Sequence, residues 1–296
     1  MSNRLCIFAH FDKDGVIDDY IVHYIKNLKT VASEIIFVSV SNISLEEQEK
    51  ISSYINNFIN KKNEGYDFGS WQAGFEYIGY GNLNQYDEII LANDSCYGPL
   101  ELFVDIFSKM DAKKNLDAWS ITTCHSMNFH MQSYFMVLRK SIFSKSWFHL
   151  FWQNISHHIN KIDYIEKYEV GLSHLITKNG YKFDSYYKLK GINYIIGNLQ
   201  FIIFLTYLTL FNKKHAKFKN SFGTIRKKTF IDLILKSFNI SLGLYGFAKT
   251  IQPLVKVMIF RDNPHKCNIK KLEKIIKNNK NYDFSLIKNH CKRMTI

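Results

Sequence analysis

An apolar stretch that ends abruptly in three polar residues is the first place where this chain could do chemistry. The run "DEIILANDS" starts at Asp87 and passes directly into Asn93, Asp94 and Ser95. Carboxylate, amide and hydroxyl oxygens suit Mg²⁺ or Mn²⁺ that carries a diphosphate. The alternative is an Asx turn in which Asp94 caps the next helix, whose start at Pro99 is favourable. Spacing alone favours the turn.

A second candidate is the glycine-rich segment "NEGYDFGSWQAG" at residues 63–74. It holds Gly65, Gly69 and Gly74 close together, with Asp67 between them. Glycines let a backbone approach a ligand closely, and an aspartate there can accept hydrogen bonds from a base or a sugar. The alternative is a set of glycines that makes a tight turn at the start of a helix. Spacing alone does not separate the two.

Two glutamates and two histidines downstream complete the candidates. Glu166 and Glu169 are three residues apart, so they occupy adjoining positions of a helix, and one could face a cleft as a general base. The alternative is a pair of solvent-facing glutamates. His125 and His130 follow a predicted strand but lack the spacing of a metal site, and ordinary loop histidines are the better interpretation.

Strands and helices alternate between these candidates. Apolar runs predict strands at residues 4–11, 34–41, 87–94, 118–123 and 133–140, and helical patterns occupy 16–28, 44–59 and most of 141–189. Ser44 and Glu47 form the capping-box pattern at one helix start, and Gly180 marks the end of the last helix. The alternation predicts an α/β fold with a mainly parallel sheet and helices on both faces.

The carboxyl ends of these strands are where a ligand is expected. In open α/β sheets, ligands bind in the crevice beyond the carboxyl ends of the strands. We therefore expect "AHFDKDG", which contains His10 and Asp12, to line one cleft together with "VSVSN" and "LANDS".

The charge of the chain is concentrated at its carboxyl end. Residues 1–211 carry 19 Lys and Arg against 22 Asp and Glu, whereas residues 212–296 carry 20 against 4. This asymmetry predicts a near-neutral domain at 1–190 and a basic, mostly helical region at 191–296 that meets an anionic surface. The alternative is an ordinary solvated basic surface. Residues 191–211 have the length of a transmembrane helix, but polar residues interrupt them and favour a buried or interfacial helix.

Composition narrows the class of protein further. The chain has 296 residues, of which 46% are hydrophobic and 16% aromatic, enough for a large core and unlike a disordered protein. Its five cysteines show no CxxC spacing, which favours a reducing compartment and argues against a zinc site. No amino-terminal signal is recognisable in "MSNRLCIFAHFD".

Taken together, these segments resemble the rhamnan synthesis protein F family of bacterial polysaccharide glycosyltransferases. The resemblance covers most of residues 4–189 and resumes near 252–264. The segments that carry it are "AHFDKDGVIDDYIVHYI", "NEGYDFGSWQAG", "YDEIILANDSCYGPL", "AWSITT", "MQSYFMVLRKSIF", "KIDYIEKYEVGLSHLITKNGY" and "PLVKVMIFRDNP". "GYDFGSW" and "NDSCYGP" are the most specific of them.

The resemblance implies a GT-A-like, Rossmann-type domain and a role for each candidate residue. In that superfamily an Asp-rich strand end holds a divalent cation, and Asp94 is the one residue of "AND" with the right chemistry. That departure puts strict dependence on Mg²⁺ or Mn²⁺ in doubt. Glu169, in "KYEVGL", is the preferred general base, with Glu166 as the second choice. The residues expected to bind the nucleotide sugar are His10, Asp12, Asn63, Gly65, Asp67, Gly69, Asn93, Ser95 and His125.

The resemblance also implies a substrate and a location. The expected reaction is an inverting transfer of L-rhamnose or another deoxysugar from a nucleotide diphosphate, with dTDP-L-rhamnose as the expected donor. The acceptor would be a lipid-linked cell-surface polysaccharide, such as O-antigen of lipopolysaccharide. The enzyme would then be cytoplasmic and peripheral on the inner face of the bacterial membrane, where its basic region meets anionic headgroups.

Two other classes of protein remain open at this point. A non-catalytic component of a polysaccharide assembly is consistent with the imperfect metal motif. A nucleic-acid-binding protein is suggested by a pI near 9.3, but the basic residues are segregated from the predicted cleft and are not interleaved with aromatic residues. We therefore expect no nucleic-acid partner.

Overall fold

The structure is a computed structural model that describes residues 2–124, 128–156, 160–188, 252–263 and 268–294, without the side chain of Ile162. The helix predicted at 191–211 and the basic stretch that follows it, up to residue 251, lie outside the described residues. Within the described part, no helix combines the length and apolarity needed to cross a bilayer.

Eleven strands are present in the described residues. They are β1 (Arg4–His10), β2 (Glu34–Ser39), β3 (Asn57–Asn60), β4 (Glu88–Asn93), β5 (Cys96–Tyr97), β6 (Ala118–Ser120), β7 (Thr123–Cys124), β8 (His130–Met131), β9 (Phe135–Arg139), β10 (Phe183–Ser185) and β11 (Val255–Lys256). Seven of them form one sheet in the order β3-β2-β1-β4-β9-β6-β10. The remaining four form two short ribbons, β5 with β11 and β7 with β8.

The large sheet is parallel except for one strand. β1 runs parallel to β2 and β4, β2 to β3, and β10 to β6, whereas β9 lies antiparallel between β4 and β6. The antiparallel direction of β9 brings its first residues to the carboxyl ends of its neighbours, because Phe135 pairs with Ala92 at the end of β4. The predicted α/β fold with a mainly parallel sheet is confirmed.

The helices lie between the strands and after them. They are α1 (Asp19–Leu28), α2 (Leu45–Ser52), α3 (Tyr66–Ile78), α4 (Phe103–Asp111), α5 (Lys140–Phe143), α6 (Ser146–Gln153), α7 (Lys161–Tyr164), α8 (Gly171–Lys178), α9 (Val257–Arg261), α10 (Ile269–Lys277) and α11 (Ser285–Arg293). A 3₁₀ helix covers Tyr80–Gln85, and a π-helical turn at Ile165–Val170 joins α7 to α8.

Helices cover both faces of the sheet, as predicted, because the strands are apolar on both sides. Cys6 and Phe8 of β1 belong to one core, together with buried residues of α1, α4 and α10. Leu5 and Ile7 belong to the other core, together with buried residues of α3, α6 and α8. Alternate residues of a strand point to opposite faces, so a continuous apolar run is what a strand buried on both faces requires.

The end of α2 corrects one prediction. Ser44 caps α2 as expected, since its hydroxyl accepts a hydrogen bond from the Glu47 N–H at 3.2 Å. The helix predicted to reach residue 59 is wrong beyond Ser52, and Asn57–Asn60 instead form β3 beside β2. In β3 the backbone groups of these residues form hydrogen bonds with β2. Asparagine is a poor helix former, and a prediction based on apolar periodicity alone does not take this into account.

Other boundaries follow the sequence more closely. Gly180 has φ 82° and ends α8, with its N–H bonded to the Thr177 carbonyl and the Tyr181 N–H bonded to the Ile176 carbonyl. This is the Schellman arrangement. The helical prediction is wrong after this glycine, because residues 183–185 form β10 at the edge of the sheet.

The described part of the carboxyl-terminal region packs against the same core as α1. Val255 in β11, Leu272 in α10 and Ile287 in α11 are buried there. Within the region predicted to be basic and mostly helical, α10 buries Leu272 and Ile276. A domain boundary near residue 190 remains a prediction, because that stretch lies outside the described residues.

Candidate active site

The strand order reverses between β1 and β4, and this point organises the candidate site. From β1 the chain continues outward to β2 and β3, while β4 lies on the opposite side of β1. Such a switch point leaves a crevice beyond the carboxyl ends of the two strands. Phe11 and Asp12 follow β1 there, and Asp94 follows β4.

The Asp94 side chain links these two strand ends. Its Oδ2 accepts a hydrogen bond from the Phe11 N–H at 2.6 Å, and its backbone carbonyl accepts one from the Tyr20 hydroxyl at 3.0 Å. The side chain is half-buried. The chain after it forms β5, and Leu102 is the N-cap of the following helix α4, without a side-chain cap bond. Asp94 is therefore not the helix cap of the alternative interpretation.

The Asx turn belongs to Asn93. Its Oδ1 accepts hydrogen bonds from the Ser95 N–H at 3.1 Å and from the Ser95 hydroxyl at 2.6 Å. Its Nδ2 donates to Asp67 Oδ2 at 2.8 Å. Asn93 thus makes the turn and also connects the start of α3 to the end of β4.

The two carboxyl groups gathered here lie where ionisation is unfavourable. The pKa of Asp94 is raised to about 8, chiefly by burial and next by the charges of Asp67 and Asp12, against the hydrogen bond from Phe11. The pKa of Asp67 is raised to about 6, chiefly by burial and in part by the charge of Glu169, against a hydrogen bond from Asn93. Strongly shifted carboxyl groups at the edge of a sheet are typical of functional sites.

Each glycine of the glycine-rich segment has its own role. Gly65 is the N-cap of α3 with φ 80°, a conformation that side chains disfavour, so the helix-start interpretation holds for it. Gly69 is buried in the first turn, next to Asp67. Gly74 lies against β1, where an added Cβ would come 2.5 Å from Ile7 Cγ2. Asn63 is exposed in the preceding loop.

Glu169 lies at the same edge of the sheet, and Glu166 does not share its environment. The Oε1 atom of Glu169 accepts a hydrogen bond from the Ser133 N–H at 3.1 Å, just before β9 begins beside the end of β4. Its side chain is 15% exposed, while Glu166 is exposed to solvent. Both lie in the π-helical turn, a feature that often marks functional sites.

His130 is a basic group close to Glu169. Its Nε2 is 3.7 Å from Glu169 Oε1, and its Nδ1 donates to the Asn128 carbonyl at 2.6 Å. The ring is buried. The interpretation of His130 as an ordinary loop histidine is therefore incomplete, because its ring lies next to Glu169, the preferred base. His125 lies outside the described residues.

Two residues predicted to bind the nucleotide are already engaged by the protein. His10 is buried in β1 with its Nδ1 3.1 Å from Ser39 Oγ, and burial lowers its pKa to about 4, so the ring is neutral. Burial alone would raise the pKa of Asp12, but hydrogen bonds, first that from Arg293, hold it below its ordinary value. The placement of these side chains gives no support to a direct nucleotide contact.

Two basic residues near the strand ends were missed by sequence reasoning. Arg293 of α11 donates hydrogen bonds to Asp12, Asp14 and Asp18. Lys256 of β11 lies beside the end of β4. Both come from the basic carboxyl-terminal region, whose charge we interpreted only as a surface property. The motif "PLVKVMIFRDNP" was the one signal that pointed to Lys256.

Asp94 is the carboxylate that the sequence predicted for a divalent cation, and Asp67 lies close enough for its charge to raise the pKa of Asp94. Within the described ranges, no three His, Cys, Asp or Glu side chains are grouped so that they could hold a metal ion. Mg²⁺ is commonly held by one or two carboxylates together with substrate phosphates. Two partly exposed carboxyl groups with raised pKa values fit a cation that arrives with a diphosphate.

Comparisons with known proteins place this chain in a family. The sequence profile of the family described as rhamnan synthesis protein F matches residues 35–222, more than half of the chain. A relative from Sinorhizobium fredii, named "Uncharacterized protein y4gN", is 21% identical over 203 residues. The match covers 68% of this chain and 52% of that protein, so the chain spans about half the length of this relative.

Solved structures show more distant likenesses. The 4-diphosphocytidyl-2C-methyl-D-erythritol synthase of Anaerococcus prevotii is 12% identical with a TM-score of 0.40, covering 66% of this chain and 95% of that one. Glucosyl-3-phosphoglycerate synthase of Mycobacterium tuberculosis, solved with Mn²⁺, UDP and phosphoglyceric acid, is 7% identical with a TM-score of 0.35, covering 61% and 80%. At these values the likeness assigns no activity to this chain.

The family resemblance inferred from the motifs is confirmed by the profile match, which contains the Asp67, Asp94 and Glu169 segments. The chain belongs to the rhamnan synthesis protein F family.

Proposed function

We propose that this protein is a glycosyltransferase that moves a sugar from a nucleotide diphosphate donor to a cell-surface polysaccharide. The observation that carries the proposal is the convergence of Asp94, Asp67 and Glu169 at the carboxyl edge of the sheet, where the charge of Glu169 raises the pKa of Asp67 and the charge of Asp67 raises the pKa of Asp94. Membership in a family named for rhamnan synthesis supports a polysaccharide product.

Asp94 and Asp67 serve the donor in this proposal. A divalent cation held by these two carboxylates would supply positive charge to the departing diphosphate. Their raised pKa values support this role, because a group that is costly to ionise in isolation gains most when a cation binds beside it. Ser95 and Asn93 shape the turn that presents Asp94.

Glu169 serves the acceptor. A sugar transfer needs a carboxylate that takes the proton of the acceptor hydroxyl as the oxygen attacks the anomeric carbon. The Ser133 N–H holds one carboxylate oxygen of Glu169, which fixes the orientation of the other. His130 Nε2 stands 3.7 Å from the same carboxylate oxygen. Direct attack by the acceptor gives inversion at the anomeric carbon, and inversion is part of the proposal.

The donor, acceptor and location that we propose follow from the family rather than from the site. The donor is dTDP-L-rhamnose or the nucleotide diphosphate of another deoxysugar. The acceptor is a lipid-linked oligosaccharide of the O-antigen or lipopolysaccharide type. The protein works in the cytoplasm on the inner face of the membrane, with the basic stretch of residues 212–251 against anionic lipid headgroups.

The test is ligand-induced stabilisation of the purified chain. Its melting temperature is measured with dTDP-L-rhamnose, UDP-glucose, GDP-mannose and CMP-sialic acid, each with and without Mn²⁺. A ligand at about 100 times its Kd adds roughly 2.7 kcal/mol to the free energy of unfolding. We expect one nucleotide diphosphate sugar to raise the melting temperature of the wild type, and to raise it further when Mn²⁺ is present. In Asp94→Asn the additional rise caused by Mn²⁺ should disappear.

The outcomes separate the enzyme from its rivals. Release of free nucleotide diphosphate by the pure protein, dependent on Glu169, supports the transferase. Donor binding without turnover on any acceptor favours a non-catalytic component of a polysaccharide assembly. Absence of stabilisation by every nucleotide sugar overturns the proposal.

A further inference from the structure

The segment that contains Lys256 is attached directly to the end of β4. In the antiparallel ribbon of β5 and β11, Lys256 pairs with Cys96, and Val255 pairs with Tyr97. The Val257 N–H donates to the Ser95 carbonyl at 2.8 Å. Lys256 is therefore held in register two residues beyond Asp94, although 162 positions of sequence separate them.

The Lys256 ammonium group lies next to the segment that carries Ser133. Its Nζ is 5.1 Å from the centroid of the Tyr134 ring, and Tyr134 directly follows Ser133, the residue that binds Glu169. The Lys256 side chain thus reaches from the ribbon that follows the end of β4 to Tyr134, the residue just before β9.

Lys256 also differs from the other described lysines that contact aromatic rings. Lys167 lies 5.1 Å from the Tyr168 ring centroid and, unlike Lys256, is exposed. Lys109 lies 5.5 Å from the Tyr186 ring centroid but forms an ion pair with Glu101 at 2.6 Å. Lys277 lies 4.8 Å from the Phe284 centroid and is 3.4 Å from Glu273. Within the described part of the chain, the Lys256 amine has no hydrogen bond and no carboxylate at ion-pair distance. It is half-buried and available to an anion.

We propose that Lys256 binds the diphosphate of the donor and stabilises the negative charge that develops when the nucleotide leaves. This inference rests on the proposed glycosyltransferase function and adds a specific phosphate-binding residue to it. The bond between the anomeric carbon and the diphosphate oxygen breaks, and its electron pair stays on that oxygen. The acceptor oxygen forms the new bond to carbon, and its proton passes to Glu169. A fixed ammonium beside the leaving oxygen is the form of stabilisation that such a step uses.

The carboxyl-terminal segment would then have a catalytic purpose. Its position depends on the β5–β11 pairing and on the packing of α10 and α11 against the core that contains α1. The positive charge of the carboxyl-terminal region would act partly at the site and not only at a membrane surface.

Direct binding of nucleoside diphosphates tests this inference. UDP, GDP, CDP and dTDP, and the corresponding nucleosides, are titrated calorimetrically into the full chain, Lys256→Met, Lys256→Arg and Lys277→Met. Lys277 is the matched control because it also contacts an aromatic ring but lies on α10 beside Glu273. Lys256→Gln replaces the methionine variant should that variant unfold.

We expect Lys256→Met to weaken binding of the preferred diphosphate roughly 10-fold or more, as is typical for loss of a hydrogen bond to a charged group. Binding of the matching nucleoside should change little, and Lys256→Arg should retain most of the diphosphate affinity. Lys277→Met should bind like the wild type. With an active donor and acceptor, Lys256→Met should lower kcat as well as kcat/KM.

The two proposals fail in different ways. Equal diphosphate affinity in the wild type and in a folded Lys256→Met or Lys256→Gln variant overturns the role of Lys256 and leaves the glycosyltransferase proposal standing. An equal loss of nucleoside and diphosphate affinity points to a structural role and also overturns it. Failure of the wild type to bind any of the four diphosphates overturns both.

Discussion

The Asp94 carboxylate accepts a hydrogen bond from the backbone N–H of Phe11 at 2.6 Å, and this contact joins the carboxyl ends of β4 and β1. The bond holds the carboxylate at the switch point, beside Asp67 and Asp12, whose charges raise its pKa further after burial. A carboxyl group kept where its ionisation is unfavourable does not serve stability. Such conflicts are expected where function has been favoured over stability.

Replacement of Asp94 by asparagine should therefore stabilise the protein at alkaline pH. The folded pKa of about 8 exceeds the ordinary value of 3.8, so between these limits the folded state keeps a proton that the unfolded state has lost. Stability of the wild type consequently falls as pH rises through this window. Asparagine does not titrate and can still accept the Phe11 hydrogen bond. We expect the free energy of unfolding of Asp94→Asn to rise by about 1–3 kcal/mol relative to that of the wild type between pH 5 and pH 8, after allowance for partial exposure.

Urea unfolding at a series of pH values measures this difference. Asp105→Asn, a change at an exposed position of α4, is the control and should show no comparable gain with pH. A difference between wild type and Asp94→Asn that stays constant from pH 5 to pH 8 would show that Asp94 ionises normally in the folded protein.

Much of the sheet could be predicted from the sequence because its strands are buried on both faces. The runs at Arg4–His10, Glu34–Ser39 and Glu88–Asn93 are apolar without interruption, and both the strands and their shared carboxyl edge follow from that pattern. Strand direction does not follow from it. The residues of β9 read like those of a parallel strand, and only the tertiary fold places Ser133 beside Glu169.

The two glutamates of the π-helical turn should differ sharply in their effect on turnover. Glu169 is half-buried and bonded to the Ser133 N–H, whereas Glu166 is exposed. Loss of a general base typically reduces the rate about 10²–10⁴-fold. We expect Glu169→Gln to lose transfer to the acceptor by that factor with little change in donor binding, while Glu166→Gln stays near wild type.

Steady-state rates and donor affinity for the three proteins provide the measurement. The Glu166 variant is a matched control because the same chemical change is made three residues away in the same turn. Near-normal transfer by Glu169→Gln, combined with a loss in Glu166→Gln, would reverse the assignment of the base.

Close packing of α3 on β1 should make Gly74 intolerant of a side chain. A Cβ at this position would meet Ile7 Cγ2 at 2.5 Å, inside one of the two cores. Overpacking of this kind typically costs about 1–3 kcal/mol. We expect Gly74→Ala to lower the urea midpoint by a corresponding amount. Gly81→Ala, where an added Cβ has nothing within 4 Å, should leave it nearly unchanged. Equal midpoints for both variants would contradict the close approach of α3 to β1.

Arg293 should contribute strongly to the attachment of α11. Its guanidinium donates to Asp18 at 2.6 and 2.9 Å and to Asp14 at 3.1 Å, and it also bonds Asp12. Removing it leaves three neighbouring carboxylates without their shared partner. Breaking a buried ion pair costs about 3–5 kcal/mol, and partial exposure reduces this, so we expect about 2–3 kcal/mol.

Denaturant unfolding of Arg293→Met and Lys288→Met makes the comparison. Lys288 lies on the same helix but is exposed, so its replacement should change stability by less than about 0.5 kcal/mol. Similar stabilities for the two variants would mean that the Arg293 contacts with Asp12, Asp14 and Asp18 contribute little in solution.

Contacts of this kind explain why the sequence predicted the acidic half of the site better than the basic half. Asp94 and Asp67 stand in short motifs next to a strand or a helix, so local pattern locates them. Arg293 meets Asp12 across 281 positions, and Lys256 pairs with Cys96 across 160. No local periodicity encodes such a contact, and a lysine in a lysine-rich region carries no signal of its own.

The basic stretch before β11 should hold the protein on anionic membranes. Seven residues there are replaced by glutamine: Lys213, Lys214, Lys217, Lys219, Arg226, Lys227 and Lys228. Deletion of residues 212–296 is unsuitable, because it would also remove Leu254, Leu272 and Ile287 from the core. Each basic residue near an anionic surface contributes about 1 kcal/mol, so the substituted protein should lose most of its binding.

Sedimentation with vesicles of phosphatidylcholine and phosphatidylglycerol measures this binding, with pure phosphatidylcholine as the neutral surface. A control variant replaces seven exposed lysines elsewhere, namely Lys26, Lys62, Lys114, Lys145, Lys167, Lys178 and Lys182. The net charge of the two variants is then equal, so only the position of the charge differs. Loss of binding in both variants would indicate a general electrostatic attraction, and retention in both would remove the membrane role of the basic stretch. Selective loss in the first variant is the result that our proposal requires, and binding of the wild type should weaken as salt is raised.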